Sequence, residues 1–465
     1  MPLRFVCKVV VAVRHESSHE KSAYRHVEMA GIPLTGPPPP PLHCSISPAA
    51  VLSPPAEEPL IATAEIITPP SSSSPALTGT QRTTRVISLD VFRGITIAAM
   101  ILVNDPGSWS HIYPPLEHAE WNGWTPTDLI FPAFLFMVGV SMTLSFASRV
   151  PRGISRRALA MHIVRRSALI FAIGLFLNGF PSFDFDSIRI MGVLQRIAVC
   201  YFVGGILYLI LSVRKENADS LQKVKSNASV ISGIVLFLLV GYWALMTFVP
   251  VPGYGAGHLG KDDNLAAYVD RTLMPGHLWS ESVTWDPEGL LSTLPAIATL
   301  LIGILAGEWL RSDRNGTRKA AGLAASGLIL LTAGRMLHPY FPINKNLWTS
   351  TFVLFTGGFS LVLLAAFYWA VDLRGWRKWA APWLVFGMNA ILAYVLAALV
   401  SEVSTDFEFT NSRGRSQTLH GWIYEGYFVP HASPVNASLA FAVFFVLVIF
   451  LLLWPFYKGR IFVRI

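Results

Sequence analysis

Long blocks of apolar residues alternate with short polar connections from Arg85 to the end of the chain. Each block is long enough to cross the ~30 Å hydrocarbon core of a bilayer as an α-helix. Glycine and proline interrupt several blocks, which transmembrane helices tolerate better than soluble helices do. The pattern predicts an all-α fold, a polytopic integral membrane bundle of about ten transmembrane helices, at residues 87–105, 127–148, 163–180, 190–212, 229–250, 289–310, 320–338, 347–371, 382–401 and 438–457.

The charges of the connecting loops predict how these helices are oriented. With the segment before the first span placed in the cytoplasm, twenty Lys and Arg residues fall in loops predicted inside and six in loops predicted outside. Cytoplasmic loops of membrane proteins carry such an excess. We therefore expect both termini in the cytoplasm, and three long outer loops at residues 106–126, 251–288 and 402–437.

The first part of the chain has a different composition. Residues 1–84 contain the proline run 37–41 and the serine run 71–74, and they show neither a helical nor a strand period. Such a segment buries too little apolar surface to offset the entropy of ordering. We predict a disordered N-terminal segment at 1–84 and one transmembrane domain at 85–465. A signal peptide is not expected, because Lys8 breaks the short apolar start.

Composition narrows the classes of function. Hydrophobic residues make up 52% of the chain and charged residues 14%, well below the charge of a soluble domain. The three cysteines are scattered, so neither a disulfide framework nor a Cys-type zinc site is expected. The histidines lack metal-ligand spacing, and we predict no metal. The net charge of +8 follows membrane topology, so no nucleic-acid partner is expected.

The first outer loop carries the clearest candidate for chemistry. His118 lies between Glu117 and Glu120, and Asp128 follows ten residues later at the mouth of the second span. A histidine accepts a proton near neutral pH, and a carboxylate on its second nitrogen fixes its tautomer. The alternative is a solvated loop histidine beside an interfacial belt formed by Trp109, Trp121 and Trp124.

Other polar residues lie at or within the spans, and each has two interpretations. Asn104 either ends the first helix or donates to a carbonyl oxygen. Arg196, next to Gln195, binds a phosphate or a carbonyl, or pairs with a carboxylate. Asp90 and Arg93 are expected to pair, and Asp286 to cap the sixth span. The remaining two are Lys345, which meets an anion or anchors a helix, and Asn389, which serves helix packing or ligand contact.

Several motifs in order resemble one enzyme family. They are Ser88-Leu89-Asp90-Val91-Phe92-Arg93-Gly94, His118-Ala119-Glu120-Trp121-Asn122-Gly123, Asp128-Leu129-Ile130-Phe131-Pro132, Gly192-Val193-Leu194-Gln195-Arg196, Asp286-Pro287-Glu288-Gly289, Asn344-Lys345-Asn346-Leu347-Trp348 and Gly387-Met388-Asn389. Together they are similar to the catalytic domain of the heparan-α-glucosaminide N-acetyltransferases and their bacterial relatives. The resemblance covers about residues 85 to 460.

The resemblance implies a reaction and roles for residues. The family transfers an acetyl group from cytoplasmic acetyl-CoA to the amine of a terminal glucosamine across the membrane, through an acetyl-histidine or directly. It implies catalytic roles for His118, Asp128 and Asn104. Acetyl-CoA is expected at Gln195, Arg196, Asn344, Lys345, Asn346 and Asn389, and the sugar at Trp121, Asn122 and Trp124.

The same resemblance sets expectations for partners and location. The acceptor is an amino sugar or a glucosamine-terminated oligosaccharide, membrane lipid surrounds the helices, and a homodimer is one arrangement that the sequence allows. The N-terminal segment differs from that of the lysosomal enzyme, so we expect a bacterial cytoplasmic (inner) membrane. His118 needs a cavity below the outer surface, because the pantetheine arm is shorter than the bilayer core. An amino-sugar transporter or an assembly scaffold is the alternative function.

Overall fold

The computed structural model describes residues 86–149, 154–215, 223–410, 414 and 416–463, so the predicted disordered segment 1–84 lies outside the described residues. The described residues are mainly α-helical. The helices are α1 Ile87–Asn104, α2 Ile130–Arg149, α3 Arg156–Gly179, α4 Val193–Leu211, α5 Ala228–Phe248, α6 Leu265–Leu273, α7 Thr293–Leu310, α8 Gly316–Leu337, α9 Ser350–Phe367, α10 Ala381–Met388, α11 Ala390–Asp406, α12 Leu419–Ile423 and α13 Pro434–Lys458.

Short elements complete this part of the chain. Two antiparallel hairpins pair β1 Ser212–Lys215 with β2 Lys223–Ser226, and β3 Glu408–Thr410 with β4 Ser416–Thr418. Single 3₁₀ turns occur at Pro114–Leu116, Pro126–Leu129, Lys378–Ala380 and Val429–His431, and π-helical turns at Tyr368–Leu373 and Tyr424–Phe428.

The prediction of an integral membrane bundle is confirmed. Within the described ranges, nine helices are long and apolar enough to cross a membrane. A tenth span is possible if Lys378–Met388 and Ala390–Asp406 are counted together, although they are bent by 72°. The predicted ninth span is therefore not one straight helix. The remaining predicted spans each coincide with one helix, with ends that differ by at most seven residues, the largest difference being at the start of α3.

Burial separates central helices from peripheral ones. In α7, 78% of the membrane-spanning window is buried within the protein, whereas in α8 the share is 22%. Most residues of α8 therefore lie at the surface of the bundle, whereas those of α7 face other helices. Two glycines let α2 and α7 approach closely: a Cβ on Gly139 would lie 2.1 Å from the Leu300 carbonyl oxygen, and one on Gly303 would lie 2.0 Å from that of Phe136.

The break between α10 and α11 is held by polar side chains. The Asn389 amide donates to the Ile461 carbonyl at 3.1 Å and accepts from the Val463 backbone N–H at 3.0 Å. Arg93 donates to the Gly387 carbonyl at 3.0 Å, just before the break. The predicted pair of Asp90 and Arg93 is confirmed, with 3.4 Å between charged atoms. The Arg93 bond satisfies a helix carbonyl at the bend, and the Asn389 bonds tie the C-terminal segment to the break.

Candidate active site

The segment between α1 and α2 brings His118 and Asp128 together. The 3₁₀ turn Pro126–Leu129 buries the Asp128 side chain at the start of α2, leaving 1% of it exposed. Asp128 Oδ2 accepts from the backbone N–H groups of Ala119 and Thr125, at 3.1 and 3.0 Å, and from the Thr125 hydroxyl. These bonds fold the loop back on the carboxylate and fix its orientation.

The second oxygen of this carboxylate faces the imidazole. His118 Nδ1 lies 2.7 Å from Asp128 Oδ1, while 48% of the His118 side chain remains exposed. With the proton on Nδ1 donated to Asp128, the lone pair of Nε2 is left to accept a proton from a bound group. The predicted pairing of these two residues is therefore present in the structure, and the arrangement is that of a histidine general base with an orienting carboxylate.

A third charged side chain comes from a distant part of the sequence. Lys345, in the turn before α9, places Nζ 3.1 Å from both ring nitrogens of His118 and 3.8 Å from Asp128 Oδ1. Burial lowers the pKa of Lys345 from its ordinary value, against the opposing charges of Asp128 and Glu288. We predicted Lys345 as a residue for acetyl-CoA; the structure places it beside the candidate base.

Other predicted site residues support this arrangement. Asn344, predicted to contact acetyl-CoA, is buried and donates to Asn122, predicted to contact the sugar, at 3.2 Å. The neighbouring backbone also pairs, because Gly123 N–H donates to the Ile343 carbonyl at 2.7 Å. The structure thus uses the two asparagines to join the His118 loop to the Lys345 turn. Asn346 is half-buried in the same turn.

The tryptophans of the loop differ in their surroundings. Trp121 donates its indole N–H to the Leu259 carbonyl at 2.8 Å and packs edge-on against Trp285, with ring centroids 5.1 Å apart. Trp124 is exposed and contacts Phe355 at 4.8 Å between centroids. Trp124 therefore keeps part of its ring accessible, whereas Trp121 is engaged in joining loops.

Several predicted residues lie apart from the His118 cluster. Asn104 is exposed at the end of α1, and no hydrogen bond joins it to His118 or Asp128 in the described part of the chain. Asn389 binds the C-terminal segment, as described above. Gln195 is buried on α4, and its Nε2 has no hydrogen-bond partner among the described residues.

Arg196 was predicted to bind a phosphate or a carbonyl, or to pair with a carboxylate, and the structure shows a carbonyl contact. The guanidinium is fully buried, donates to the Gly289 carbonyl at 3.1 Å and to the Ser292 hydroxyl, and stacks on Trp348 at 5.0 Å from the ring centroid. No carboxylate lies within salt-bridge distance of it among the described residues. Arg196 is therefore held by the segment that leads into helix α7 and by the aromatic face of Trp348, in the turn that also carries Lys345.

A second cluster of charges surrounds the segment before α7. Arg189 binds both oxygens of Asp286, at 2.8 and 2.7 Å, and also Glu288 at 2.6 Å. Burial alone would lower the pKa of Arg189, but the two carboxylates outweigh it and raise this pKa. Asp286 was predicted to cap the sixth span. That prediction is wrong, because α7 begins only at Thr293 and Asp286 serves this ion pair.

Sequence reasoning missed Arg189 as the partner of these acids, and also Asp270. The Asp270 carboxylate accepts from the backbone N–H groups of Leu290, at 2.9 Å, and Asp286, at 3.4 Å. Burial raises the pKa of Asp270 to about 7, against these hydrogen bonds. The sequence did contain one indication of this ion pair, because Arg189 is one of the few cations predicted in the outer loops.

Comparisons with known proteins identify the family. Residues 85–224 match the family model described as "Heparan-alpha-glucosaminide N-acetyltransferase, catalytic". The heparan-alpha-glucosaminide N-acetyltransferase of Homo sapiens is 34% identical over 352 residues, which cover 67% of this chain and 52% of the relative. That of Mus musculus is 33% identical over 354 residues, covering 67% and 53%.

The chain spans about half the length of these curated relatives. The matched family region contains His118 and Asp128, the two residues that the structure joins through a short hydrogen bond. The sequence resemblance is thus confirmed by independent comparison, and the chain belongs to the heparan-alpha-glucosaminide N-acetyltransferase family.

Proposed function

We propose that this protein is a membrane N-acetyltransferase that moves an acetyl group from cytoplasmic acetyl-CoA to the amine of a glucosamine-type sugar on the opposite side. The observation that carries the proposal is the 2.7 Å contact between His118 Nδ1 and the buried Asp128 carboxylate, with the imidazole still half-exposed. The names of the two relatives support the same reaction class.

The proposed chemistry follows from this geometry. The sugar amine attacks the thioester carbonyl carbon, so that a C–N bond forms and the C–S bond breaks. His118 Nε2 takes the proton that the amine loses and returns it to the departing thiolate of CoA. Asp128 accepts from Nδ1–H throughout, which orients the ring and stabilises the transient imidazolium. The exposed ring of Trp124 offers a stacking surface for the sugar.

The distribution of charge in the sequence supports the proposed sidedness. The His118 loop belongs to the acid- and tryptophan-rich set predicted outside, and the basic loops are predicted inside. Basic inner loops attract the phosphates of CoA, while the neutral pantetheine arm enters between helices. On this proposal the protein resides in a bacterial cytoplasmic membrane with its termini inside, and its acceptor is an amino sugar.

The direct test is acetyl transfer in membranes that contain the protein. Acetyl-CoA with an isotopically labelled acetyl group is mixed with a panel of amino sugars, and the products are identified by mass. We expect an N-acetylated sugar from the wild-type protein and almost none from His118→Ala. His111→Ala is the matched control, since His111 is an exposed histidine of the same loop. A folded His118→Ala protein with full transfer would refute the proposal.

One observation favours a second candidate, an amino-sugar transporter. Discontinuous helices such as the α10–α11 pair are found at transporter binding sites. Uptake of labelled glucosamine into vesicles without acetyl-CoA distinguishes the two functions. Uptake that His118→Ala leaves unchanged supports transport, and product that forms only with acetyl-CoA supports the enzyme.

A further inference from the structure

Lys345 occupies an unusual position relative to the candidate base. Its Nζ is equidistant, at 3.1 Å, from Nδ1 and Nε2 of His118. The lone-pair directions of the two ring nitrogens diverge in the ring plane, so one ammonium cannot lie along both. Lys345 therefore does not act as a partner of Nε2 alone. It places a positive charge beside the ring, next to the region where the amine and the thioester must meet.

The turn that carries Lys345 is held firmly in place. The buried Asn344 side chain accepts from the Leu347 backbone N–H at 2.9 Å. The Lys345 carbonyl accepts from the Trp348 N–H at 3.0 Å, and Trp348, fully buried, has a positive φ of 50°. A non-glycine residue keeps this conformation only where its surroundings enforce it, and such strain clusters at functional sites.

Two cross-links fix this turn against the His118 loop. One is the 3.2 Å hydrogen bond from Asn344 to Asn122, and the other is the 2.7 Å backbone bond from Gly123 to Ile343. The distance between the ammonium and the imidazole is thus set by both segments, not by the long side chain of Lys345 alone. Such preorganisation is what transition-state stabilisation requires.

The carboxylates near Lys345 are already bound by other groups. Asp128 accepts from His118, Ala119 and Thr125. Glu288 is bound by Arg189 at 2.6 Å. Because an ammonium has three N–H donors and only 17% of the Lys345 side chain is exposed, a substrate oxygen that enters here finds a donor in a poorly solvated place.

We propose that Lys345 is the oxyanion donor of this site: its ammonium binds the acetyl carbonyl oxygen of the thioester and stabilises the negative charge that develops there. The proposal rests on the proposed acetyltransferase function. It assigns to Lys345 the role that the sequence suggested for Asn104, which is exposed at the end of α1. It also separates two tasks, because His118 moves the proton and Lys345 holds the charge.

The electron balance of the step is simple. When the amine nitrogen adds to the carbonyl carbon, the π electrons move to the oxygen bound by Lys345. When the intermediate collapses, they re-form the C=O bond and the C–S pair leaves as the thiolate. Lys345 keeps its proton throughout. The attacked carbon bears both the amine and the oxygen, so residues 3.1 Å apart can act on one intermediate.

The test compares Lys345→Met and Lys345→Arg, with Lys261→Met as control for an outer-loop cation outside the site. We expect kcat of Lys345→Met to fall about 10²–10³-fold with little change in KM for either substrate. Lys345→Arg should retain part of the rate because it keeps the charge. A raised KM with nearly unchanged kcat would overturn the proposal, since Lys345 would then only bind a ligand anion.

The pH profile gives a readout that a structural role would not change. The charged form is required, and burial lowers the pKa of Lys345, so wild-type kcat should decline at alkaline pH before free lysine would titrate. Lys345→Arg should move this decline to higher pH. The other titratable and charged groups that face Lys345 are unchanged in all variants: His118, Asp128, Glu288 and Arg196. A shift of the alkaline limb of the pH profile is therefore due to the residue at position 345.

The outcomes also separate this proposal from the proposed function. No acetyl transfer by the wild-type protein would refute the function itself. Transfer by the wild type with kcat retained in Lys345→Met would refute only the role of Lys345. If Lys345→Met does not fold, as judged by thermal unfolding in detergent, the position of the alkaline limb in Lys345→Arg decides the matter: a shift supports the proposal and an unchanged limb overturns it.

Discussion

Two clusters of charged side chains differ in whether one of their groups is left accessible to a ligand. We call Arg189, Asp286 and Glu288 the closed cluster, and His118, Asp128 and Lys345 the open cluster. In the cluster of Arg189, Asp286 and Glu288, the guanidinium binds both acids and the acids are buried. In the cluster of His118, Asp128 and Lys345, the acid is buried but the imidazole is half-exposed. A closed set of ion pairs holds the fold, whereas an accessible ring edge beside a fixed acid and cation is suited to chemistry.

The largest effect should come from changing the acid of the open cluster. In Asp128→Asn the side-chain oxygen can still accept from Ala119 and Thr125, but the amide then faces His118 Nδ1 as a donor. The proton of the neutral imidazole must then lie on Nε2, so that Nε2 can no longer accept a proton from the substrate. We expect kcat for acetyl transfer to fall about 10⁴-fold, by analogy with triad acids. A variant that keeps a tenth of the wild-type rate would contradict this.

The next largest effect should be on stability, in the closed cluster. Arg189→Met leaves Asp286 and Glu288 without their cation in a buried site. We expect a loss of about 3–5 kcal/mol in the free energy of unfolding, measured by denaturant in detergent. Arg271→Met, which removes a charge from nearby α6, is the control. Wild-type stability combined with a lost rate would show that the closed cluster is catalytic.

A smaller effect concerns pH. Burial raises the pKa of Asp270 to about 7 in the folded protein, above the ordinary aspartate value of 3.8. Between these values the folded protein holds a proton that the unfolded chain releases, so stability falls as pH rises from about 4 to 7. Asp270→Asn should remove this dependence, which amounts to at most about 4 kcal/mol across that pH range. The difference in unfolding free energy between variant and wild type should then be flat above pH 7.

A wild-type minus variant difference that stays constant from pH 4 to 8 would contradict the raised pKa of Asp270. Measuring the difference cancels the titration of groups that both proteins share. The acetyl-transfer rate should change little in this variant if the closed cluster is structural, which sharpens the contrast between the two clusters.

Most of the fold followed from the hydrophobic pattern, because a bilayer imposes length and polarity on each span. The break at Asn389 did not, since apolar residues continue through it and its partners Ile461 and Val463 lie more than seventy residues away. The helix α7 also begins later than the proline at 287 suggested. Boundaries depend on such tertiary contacts, which periodicity does not contain.

The candidate site was predictable only within one loop. His118 and Asp128 are ten residues apart, so their pairing could be inferred from spacing and chemistry. Lys345 approaches His118 from 227 residues away, and its position depends on the turn that Asn344 and Trp348 hold. The roles of the predicted acetyl-CoA and sugar residues remain predictions, and the Arg189 pairs required the packed structure.

Transfer of the acetyl group across the membrane distinguishes the proposed enzyme from its alternatives, and sealed proteoliposomes of known protein orientation can measure it. Labelled acetyl-CoA is supplied on the side of the basic loops and amino sugar on the side of the His118 loop. We expect N-acetylated sugar on the His118 side, dependent on His118, and free CoA on the other side. Product that forms only when both substrates are on one side, or sugar that crosses without being acetylated, would contradict it.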